Sequence, residues 1–512
     1  MGRLTIVARG NPSSSLGSAQ EGRPTPVPGK WFTPEPISKG VLVLGATTIL
    51  LAAANGVWRL SEPYAVHPIE PYLLNHVRIY RSGKWPFQPV DHPPLLWSPY
   101  PPTYEWLCSR LPLQPHPYFY GRLISVLSWL GLTAWLCCHV SRRTGNARAG
   151  ILAAGVYAAA WPTWGWGFNF KMDSSGLLLT VLGLHLGIAE HRRFRALSLL
   201  LLALAWWTKP TFLAAPVAVA WSLWRRNPRE AAAMSFSFAL LCFLPILPFN
   251  HVTHGEFVRQ VFLSHRGFDL AHGLDLLQRF VFRVLPLLLV LLWAKPRRTT
   301  GFQARTVPDF EPAFFLAAFV VLLLTVSYQR SSWNYLLEAH FALALLVGVW
   351  VGQARVSPGK QAWTTKLLTL YFLLMLPLLS RQTTLDYRKA TVHKRDAIAV
   401  RNKLASAPPG TVLDLAVDSV RKAVVDDALV HLGRALWCEM RFVEPAHRNS
   451  TARALRPVAR ENAPVLFVTD SRKPNLNRVK GKEVSLWAEA AGFQMWQAGV
   501  LVDISNGTDR GH

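Results

Sequence analysis

Charged residues are scarce in this 512-residue chain, and acidic residues are the scarcer kind. Asp, Glu, Lys and Arg together make 16% of the sequence, with 29 acidic against 55 basic residues, whereas hydrophobic residues make 51%. The apolar residues are also gathered into runs. This composition excludes an ordinary soluble domain and is typical of a polytopic membrane protein.

The motifs of common soluble enzymes are also missing. The chain has no Gly-rich phosphate loop, no Ser/His/Asp or zinc pattern and no internal repeat, so we expect no nucleotide-sugar site and no cofactor. The five cysteines show no metal-ligand spacing. In a soluble protein, a net charge of +26 would indicate binding to nucleic acid. Here, however, the basic residues cluster between apolar runs. Such clusters report membrane topology, so the expected partner is the lipid bilayer and not nucleic acid.

Eleven apolar runs, some of them short, are candidates for membrane-spanning helices. They are Val41–Trp58, Leu123–His139, Ala149–Pro162, Ser174–Ala189, Leu197–Trp207, Phe212–Trp224, Ala231–Phe249, Phe280–Ala294, Pro312–Tyr328, Tyr335–Val351 and Thr364–Leu379. Basic segments occupy every second junction: Ser141–Arg148, His191–Arg195, Arg225–Arg229, Lys295–Arg305 and Gln353–Lys366. Because basic loops stay cytoplasmic, this pattern predicts a cytoplasmic N-terminus and an outward C-terminus.

Three regions follow from this pattern. Residues 1–40 read as a disordered basic cytoplasmic tail, and residues 41–380 as the transmembrane domain. Residues 381–512 contain no run long enough to span and are predicted to form a small extracytoplasmic α/β domain. Its predicted elements are a basic helix over Thr383–Ala407, strands over Thr411–Val417 and Pro464–Thr469, helices over Ala452–Glu461 and Glu483–Ala491, and a terminal strand or hairpin over Gln494–Asp503.

The polar, Pro- and aromatic-rich segment from Ser61 to Gly121 must lie outside the bilayer, because irregular backbone in hydrocarbon leaves polar groups unpaired. It carries Glu62 and Glu70 just after the first apolar run. We expect it to form the roof of an active site whose floor is the membrane domain. A second outer feature is Lys209-Pro210, which interrupts the apolar residues from Leu197 to Trp224 and predicts two short helices meeting at the outer side. Lys209 there is either a snorkelling lysine or a cation that faces a phosphate.

Six motifs in this order resemble the GT-C superfamily of polytopic glycosyltransferases, closest to bacterial family-39-like or dolichyl-phosphate-mannose-dependent proteins. They are IYRSGKWPF (Ile79–Phe87), YPPTYEWL (Tyr100–Leu107), GRLIS (Gly121–Ser125), KMD (Lys171–Asp173), TKPT (Thr208–Thr211) and NYLLE (Asn334–Glu338). The resemblance implies a helical GT-C-like membrane fold in a bacterial plasma membrane. It also implies inverting transfer of a sugar from a polyprenyl-phosphate donor to an extracytoplasmic acceptor.

The resemblance also implies roles for individual residues. An acid of the first outer loop would be the general base, with Glu70 the best match and Glu62 the second, while Asp173 either caps its helix or contacts substrate. The nominated donor-phosphate cations are Arg78, Arg81, Lys209 and Arg330. The nominated substrate-binding residues are Tyr100, Trp166, Asn334, Tyr335 and Glu338. The alternatives are an ion-paired or helix-terminal Glu70, an interfacial tryptophan belt around Trp166, and an ion pair of Glu338 with Lys209 or Arg330.

Some members of the superfamily bind a divalent cation through a DxD-like pair, but the first outer loop has only Asp91-His92. We therefore expect no required metal. Two other functions remain open at this stage. The broken helix pair at Lys209-Pro210 is compatible with a secondary transporter, although inverted repeats are missing. A catalytically silent relative in an envelope-assembly complex is the other alternative.

Overall fold

The computed structural model of the chain describes residues 37–89, 98–189, 191–263, 268–294, 310–327, 333–354, 357–405, 412–416, 427, 465–470, 484–490 and 493–498. Of the tail predicted over residues 1–40, only residues 37–40 are described, and 39–40 already belong to the first helix. The helix predicted over Ala452–Glu461 lies outside the described residues.

Each of the eleven apolar runs overlaps at least one helix, and two of them, Ala149–Pro162 and Ala231–Phe249, are each divided between two helices. The helices are α1 (Lys39–Ser61), α2 (Ile69–Arg81), α3 (Thr103–Ser109), α4 (Phe119–Thr144), α5 (Ala147–Ala158), α6 (Trp161–Trp166), α7 (Asp173–Gly187), α8 (Arg192–Thr208), α9 (Ala214–Trp224), α10 (Pro228–Phe243), α11 (Ile246–Val252), α12 (Glu256–Val258), α13 (Leu270–Ala294), α14 (Phe310–Thr325), α15 (Leu337–Gln353) and α16 (Pro358–Leu404). A π-helical turn over Arg259–Leu263 follows α12, and a 3-10 turn over Trp333–Leu336 precedes α15.

Six helical segments within the described ranges are long and apolar enough to cross a membrane. They are Lys39–Ser61, Phe119–Thr144, Pro228–Val252, Leu270–Ala294, Trp333–Gln353 and Pro358–Lys403. The other predicted spans form α5, α7, α8, α9 and α14, which have 12, 15, 17, 11 and 16 residues and are short for a span of about 20 residues. The chain is a helical polytopic membrane protein, as predicted, with six full-length candidate spans.

Helix α15 lies at the centre of the bundle. Its apolar window is 83% buried, whereas the window in Pro228–Val252 is only 11% buried. Small residues allow the central helices to pack closely. A Cβ on Gly155 of α5 would lie 2.7 Å from the Cα of Gly45 in α1. A Cβ on Gly348 of α15 would lie 2.6 Å from the Cβ of Ala153. Small residues let helix backbones approach where lipid supplies no hydrophobic drive.

The break predicted at Lys209-Pro210 is present. Helix α8 ends at Thr208, Lys209 takes extended backbone angles, and α9 begins at Ala214. Pro210 has no N–H to continue the helix ladder, so the chain turns here and leaves the Lys209 side chain at the end of α8. Lys209 is nevertheless buried, with 3% of its surface exposed.

The C-terminal part differs from the prediction at two places. The basic helix predicted from Thr383 is not separate, because α16 runs without interruption from Pro358 to Leu404. The helix predicted over Glu483–Ala491 is wrong: Val484–Ala490 is a strand. Its Ala and Glu residues favour a helix in isolation, but the backbone hydrogen bonds of this segment are made with the following strand.

Four strands form one sheet in the order β1-β2-β4-β3: β1 (Val412–Ala416), β2 (Val465–Asp470), β3 (Val484–Ala490) and β4 (Phe493–Ala498). β1 and β2 are parallel, with Val412 opposite Val465, while β4 is antiparallel to both β2 and β3. The strands predicted near residues 411–417, 464–469 and 494–503 therefore exist, with β4 ending at Ala498.

The close approach of α1 and α5 generates a test. Replacing Gly155 by Ala is expected to destabilise the protein by about 1–3 kcal/mol, because the added methyl would meet the backbone of Gly45, which cannot rotate away. Thermal unfolding of the purified variant in detergent measures this. Gly165→Ala is the matched control, since a Cβ there meets nothing within 4 Å. Equal melting temperatures for the two variants would contradict the packing described.

Candidate active site

A buried polar cluster lies where α7 begins, α8 ends and the 3-10 turn precedes α15. Asp173 is fully buried and contacts two ammonium groups: the Nζ of Lys209 lies 2.7 Å from Oδ1, and the Nζ of Lys171 lies 3.1 Å from Oδ2. The side-chain amide of Asn334 donates to Oδ1 at 3.1 Å. The structure thus brings KMD, TKPT and NYLLE, three motifs far apart in sequence, to one point.

Aromatic rings hold the two lysines of the Asp173 cluster. Lys209 Nζ lies 4.4 Å from the centroid of the Tyr335 ring, and Lys171 Nζ lies 4.0 Å from that of Trp166. His67 packs against Trp166, with their ring centroids 4.3 Å apart. Burial, together with the charge of Lys171, lowers the pKa of His67 to about 3, so this imidazole is neutral at physiological pH.

The segment before α7 is held by the helix that carries the GRLIS motif. The hydroxyl of Ser125 lies 2.7 Å from the carbonyl oxygen of Asn169 and 3.1 Å from that of Lys171. Gly121 makes room for the Phe170 ring, which lies 2.0 Å from where a Cβ on Gly121 would be. These contacts fix the backbone on both sides of Lys171, and so aim its side chain at Asp173.

Glu70, the predicted general base, is fully buried and has both carboxylate oxygens occupied. Arg122 donates to it through two nitrogens, Nε to Oε1 and Nη2 to Oε2, each at 2.8 Å. Three backbone N–H groups complete its shell: Phe170 at 2.8 Å, Val66 at 2.7 Å and His67 at 3.1 Å. Burial opposes ionisation of Glu70, but the charge and hydrogen bonds of Arg122 outweigh it and lower the pKa to about 2. A carboxylate in these surroundings is a weak base, and its role as general base stays a prediction.

Glu62, the second predicted acid, lies in a different environment. Its side chain is 16% exposed; Oε1 lies 3.7 Å from Lys394 Nζ and accepts a long bond of 3.4 Å from the Tyr64 N–H. The main chain of Glu62 is held by Arg122, which donates to its carbonyl oxygen. Of the two nominated acids, Glu62 and Glu70, Glu62 has the more accessible carboxylate, and its backbone is fixed.

The remaining predicted site residues fall into three groups. Trp166, Asn334, Tyr335 and Lys209 belong to the Asp173 cluster, and buried Glu338 interacts electrostatically with Lys209. Arg78 and Tyr100 lie with the first outer loop, and Arg81 donates to the carbonyl oxygen of Leu111 at 2.5 Å. Arg330 lies outside the described residues. The expected N-cap role of Asp173 is not seen, because α7 has no side-chain capping bond.

The residues that hold the segment Ser61–Gly121 in place have no role in the motifs. Arg122 is part of GRLIS, and Arg59 lies at the end of α1. Buried Arg59 donates to Asn169, to the Trp164 carbonyl at 3.0 Å and to Asp386 at 2.6 Å. Asp427 accepts from the Ala65 N–H and the Tyr118 hydroxyl, each at 2.8 Å. Arginine at the end of an apolar run was the signal available for the first two, since a charge there needs a partner.

Over the ranges given above, no three His, Cys, Asp or Glu side chains come close enough to hold an ion. Asp91 and His92, the pair considered from the sequence, lie outside those ranges.

Two solved structures share this architecture. One is ArnT from Cupriavidus metallidurans bound to undecaprenyl phosphate, with a TM-score of 0.59 and 16% identity; the other is the same protein in the apo state, with a TM-score of 0.60 and 15% identity. Each match covers 90% of this chain and 98% of the ArnT chain. The chain has the ArnT fold.

ArnT is a GT-C superfamily glycosyltransferase, so the GT-C-like fold predicted from the six motifs is confirmed. The match covers nearly the full length of ArnT, so it extends well beyond the helices that carry those motifs. No family model matches the sequence, and no curated protein sequence matches it either. At this identity the ArnT likeness shows the fold alone.

The shell around Glu70 generates a test. Glu70→Gln is expected to lower stability at pH 7 by about 3–5 kcal/mol, because it leaves Arg122 buried without its counter-charge. The pKa of Glu70 is lower in the folded state than its ordinary 4.5, so its stabilisation is full above pH 4.5 and is lost as the pH falls towards 2. The melting-temperature gap between wild type and variant should therefore narrow between pH 7 and pH 3.

Glu62→Gln is the matched control for this experiment. Its ion pair with Lys394 is partly exposed and long, so the loss of stability should stay below about 1 kcal/mol. A Glu70→Gln variant as stable as Glu62→Gln would show that Arg122 is satisfied without Glu70.

Proposed function

We propose that this chain is a membrane glycosyltransferase of the bacterial plasma membrane. It takes a sugar from a polyprenyl-phosphate donor and transfers it, with inversion, to an extracytoplasmic acceptor. The observation that carries the proposal is the buried pair of lysines on Asp173, in a chain whose fold is that of a protein crystallised with undecaprenyl phosphate.

The lysine pair suits a phosphate leaving group. Two ammonium groups lie at one carboxylate, so an anion that enters the Asp173 cluster meets both lysines. Because both lysines are nearly dehydrated, at 3% exposed each, their attraction for a phosphate is stronger than in water. When the bond between the anomeric carbon and the phosphate oxygen breaks, the departing polyprenyl phosphate gains negative charge that Lys171 and Lys209 stabilise.

The acceptor requires a base. In the proposed step an acceptor hydroxyl attacks the anomeric carbon, its proton passes to a carboxylate, and the phosphate leaves from the opposite face of the sugar. Of the three acids nominated from the sequence, Glu70 is closed by Arg122 and Asp173 is engaged by both lysines. We therefore assign to Glu62 the role of accepting the proton of the acceptor hydroxyl. To Asp173 we assign the positioning of Lys171 and Lys209.

Substrate contacts follow from the same cluster. Trp166 and Tyr335 each present an aromatic ring beside a lysine, and Asn334 presents an amide. Rings of this kind stack on sugar faces, and amides bond to hydroxyls. The four-stranded sheet with the end of α16 forms the proposed outer α/β domain, to which we assign the acceptor side of the reaction.

Lys209→Gln tests the leaving-group role. Removing this charge should lower kcat/KM by about 10²-fold or more, whereas Lys209→Arg should retain part of the activity. The assay measures release of polyprenyl phosphate from a panel of polyprenyl-phosphate sugars, by mass spectrometry, with membrane extract as the acceptor source. Lys84→Gln is the control, because Lys84 is an exposed lysine of the segment Ser61–Gly121. Equal losses for Lys209→Gln and Lys84→Gln would refute the assignment.

Glu62→Gln tests the base. Its kcat/KM should fall by about 10²- to 10⁴-fold, with a melting temperature close to wild type. Full activity of a folded Glu62→Gln variant would exclude Glu62 as the base.

A silent GT-C relative is the second candidate, and the closed shell of Glu70 is the observation that favours it. This candidate requires that wild-type protein releases polyprenyl phosphate from no donor in the panel. A transporter would move its substrate without forming a new glycosidic bond, so product analysis separates it from the transferase.

A further inference from the structure

We propose that Arg283 of α13, held between Trp161 and Trp333, forms a binding site for the phosphate group of a membrane lipid. This cation is distinct from Lys171 and Lys209, and nothing in the sequence motifs assigned it a role. The proposal concerns binding and does not depend on sugar transfer.

The guanidinium of Arg283 lies against two indoles. Its Cζ lies 4.1 Å from the ring centroid of Trp333 and 4.7 Å from that of Trp161. The two rings lie 6.4 Å apart with an interplanar angle of 64°, so they form a cleft and not a parallel stack. Contacts of this type attract a cation to the ring faces and hold it in place without a counter-charge.

The charge of Arg283 lacks an anion among the described residues. No ion pair found there includes it, and its Nη1 is buried without a hydrogen-bond partner. Arg279, one turn earlier on the same helix, is paired with Asp275 at 2.8 Å. A half-buried arginine on a candidate membrane span is costly without a counter-charge, so the contrast between the two arginines points to an anionic ligand at Arg283.

Position and chemistry favour a lipid phosphate as this ligand. Trp333 directly precedes Asn334 of the Asp173 cluster, so Arg283 lies at the end of the bundle that carries the candidate site. Tryptophan pairs are typical of the membrane interface, where lipid phosphates lie. The adjacent Phe282 is 76% exposed, so this helix presents a surface to lipid beside Arg283. The planar fork of arginine matches two oxygens of one phosphate.

The test compares Arg283→Gln with Arg279→Gln. The full-length protein is placed in phosphatidylcholine nanodiscs doped with either undecaprenyl phosphate or phosphatidylglycerol, and bound lipid is quantified by native mass spectrometry. Arg283→Gln should weaken retention of the phosphate lipid by about tenfold or more, whereas Arg279→Gln should stay within about twofold of wild type. Loss confined to undecaprenyl phosphate identifies a polyprenyl ligand, and loss of both lipids identifies a general phosphate site.

Two further variants distinguish a loss of lipid binding from a loss of folding. Arg283→Lys keeps the charge but loses the fork and should bind at an intermediate level, and Trp333→Ala removes one wall and should weaken binding by about threefold or more. Unchanged retention of both lipids by folded Arg283→Gln overturns the proposal. Equal losses for Arg283→Gln and Arg279→Gln also overturn it, since surface charge alone would then explain the binding.

Discussion

The bidentate contact between Glu70 and Arg122 is the constraint on which the end of the bundle around α2 and α4 depends. Glu70 lies in the first turn of α2 and Arg122 in the first turn of α4, so the contact joins the segment Ser61–Gly121 to the helix that follows it. Arg122 also donates to the carbonyl oxygens of Arg59 and Tyr64, at 2.8 and 2.7 Å. One guanidinium thus satisfies a carboxylate and the bare carbonyls of a chain leaving the membrane, where unpaired groups would be costly.

The same contact shapes the candidate active site. Glu70 accepts from the Phe170 N–H, and Phe170 lies directly before Lys171 and the Asp173 cluster. Arg59, bonded to Asn169 and Asp386, ties this segment to α16 as well. The lysines therefore stand on a segment held from both sides, and a rigid scaffold is what stabilisation of a departing phosphate requires.

Much of the fold was readable from the sequence, because membrane helices must satisfy their own backbone hydrogen bonds. Each apolar run is mostly helical where the structure describes it, and the helix break at Lys209-Pro210 is where the proline predicts it. Prediction from the sequence was wrong where the structure of a segment depends on contacts with other parts of the chain. Val484–Ala490 became a strand because β4 pairs with it, and α16 runs through the change of polarity after Leu379 because charged residues do not end a helix that leaves the bilayer.

For the site, the sequence by itself determined which residue types were present: acids in the first outer loop, a lysine at a proline break, and the KMD and NYLLE motifs. The tertiary structure alone decided their pairing. It placed Lys209 and Lys171 on Asp173, closed Glu70 with Arg122, and left Arg283 between two indoles. The physical reason is that the behaviour of a buried charge is set by its nearest counter-charge and hydrogen-bond donors, and these come from helices that are far apart in the chain.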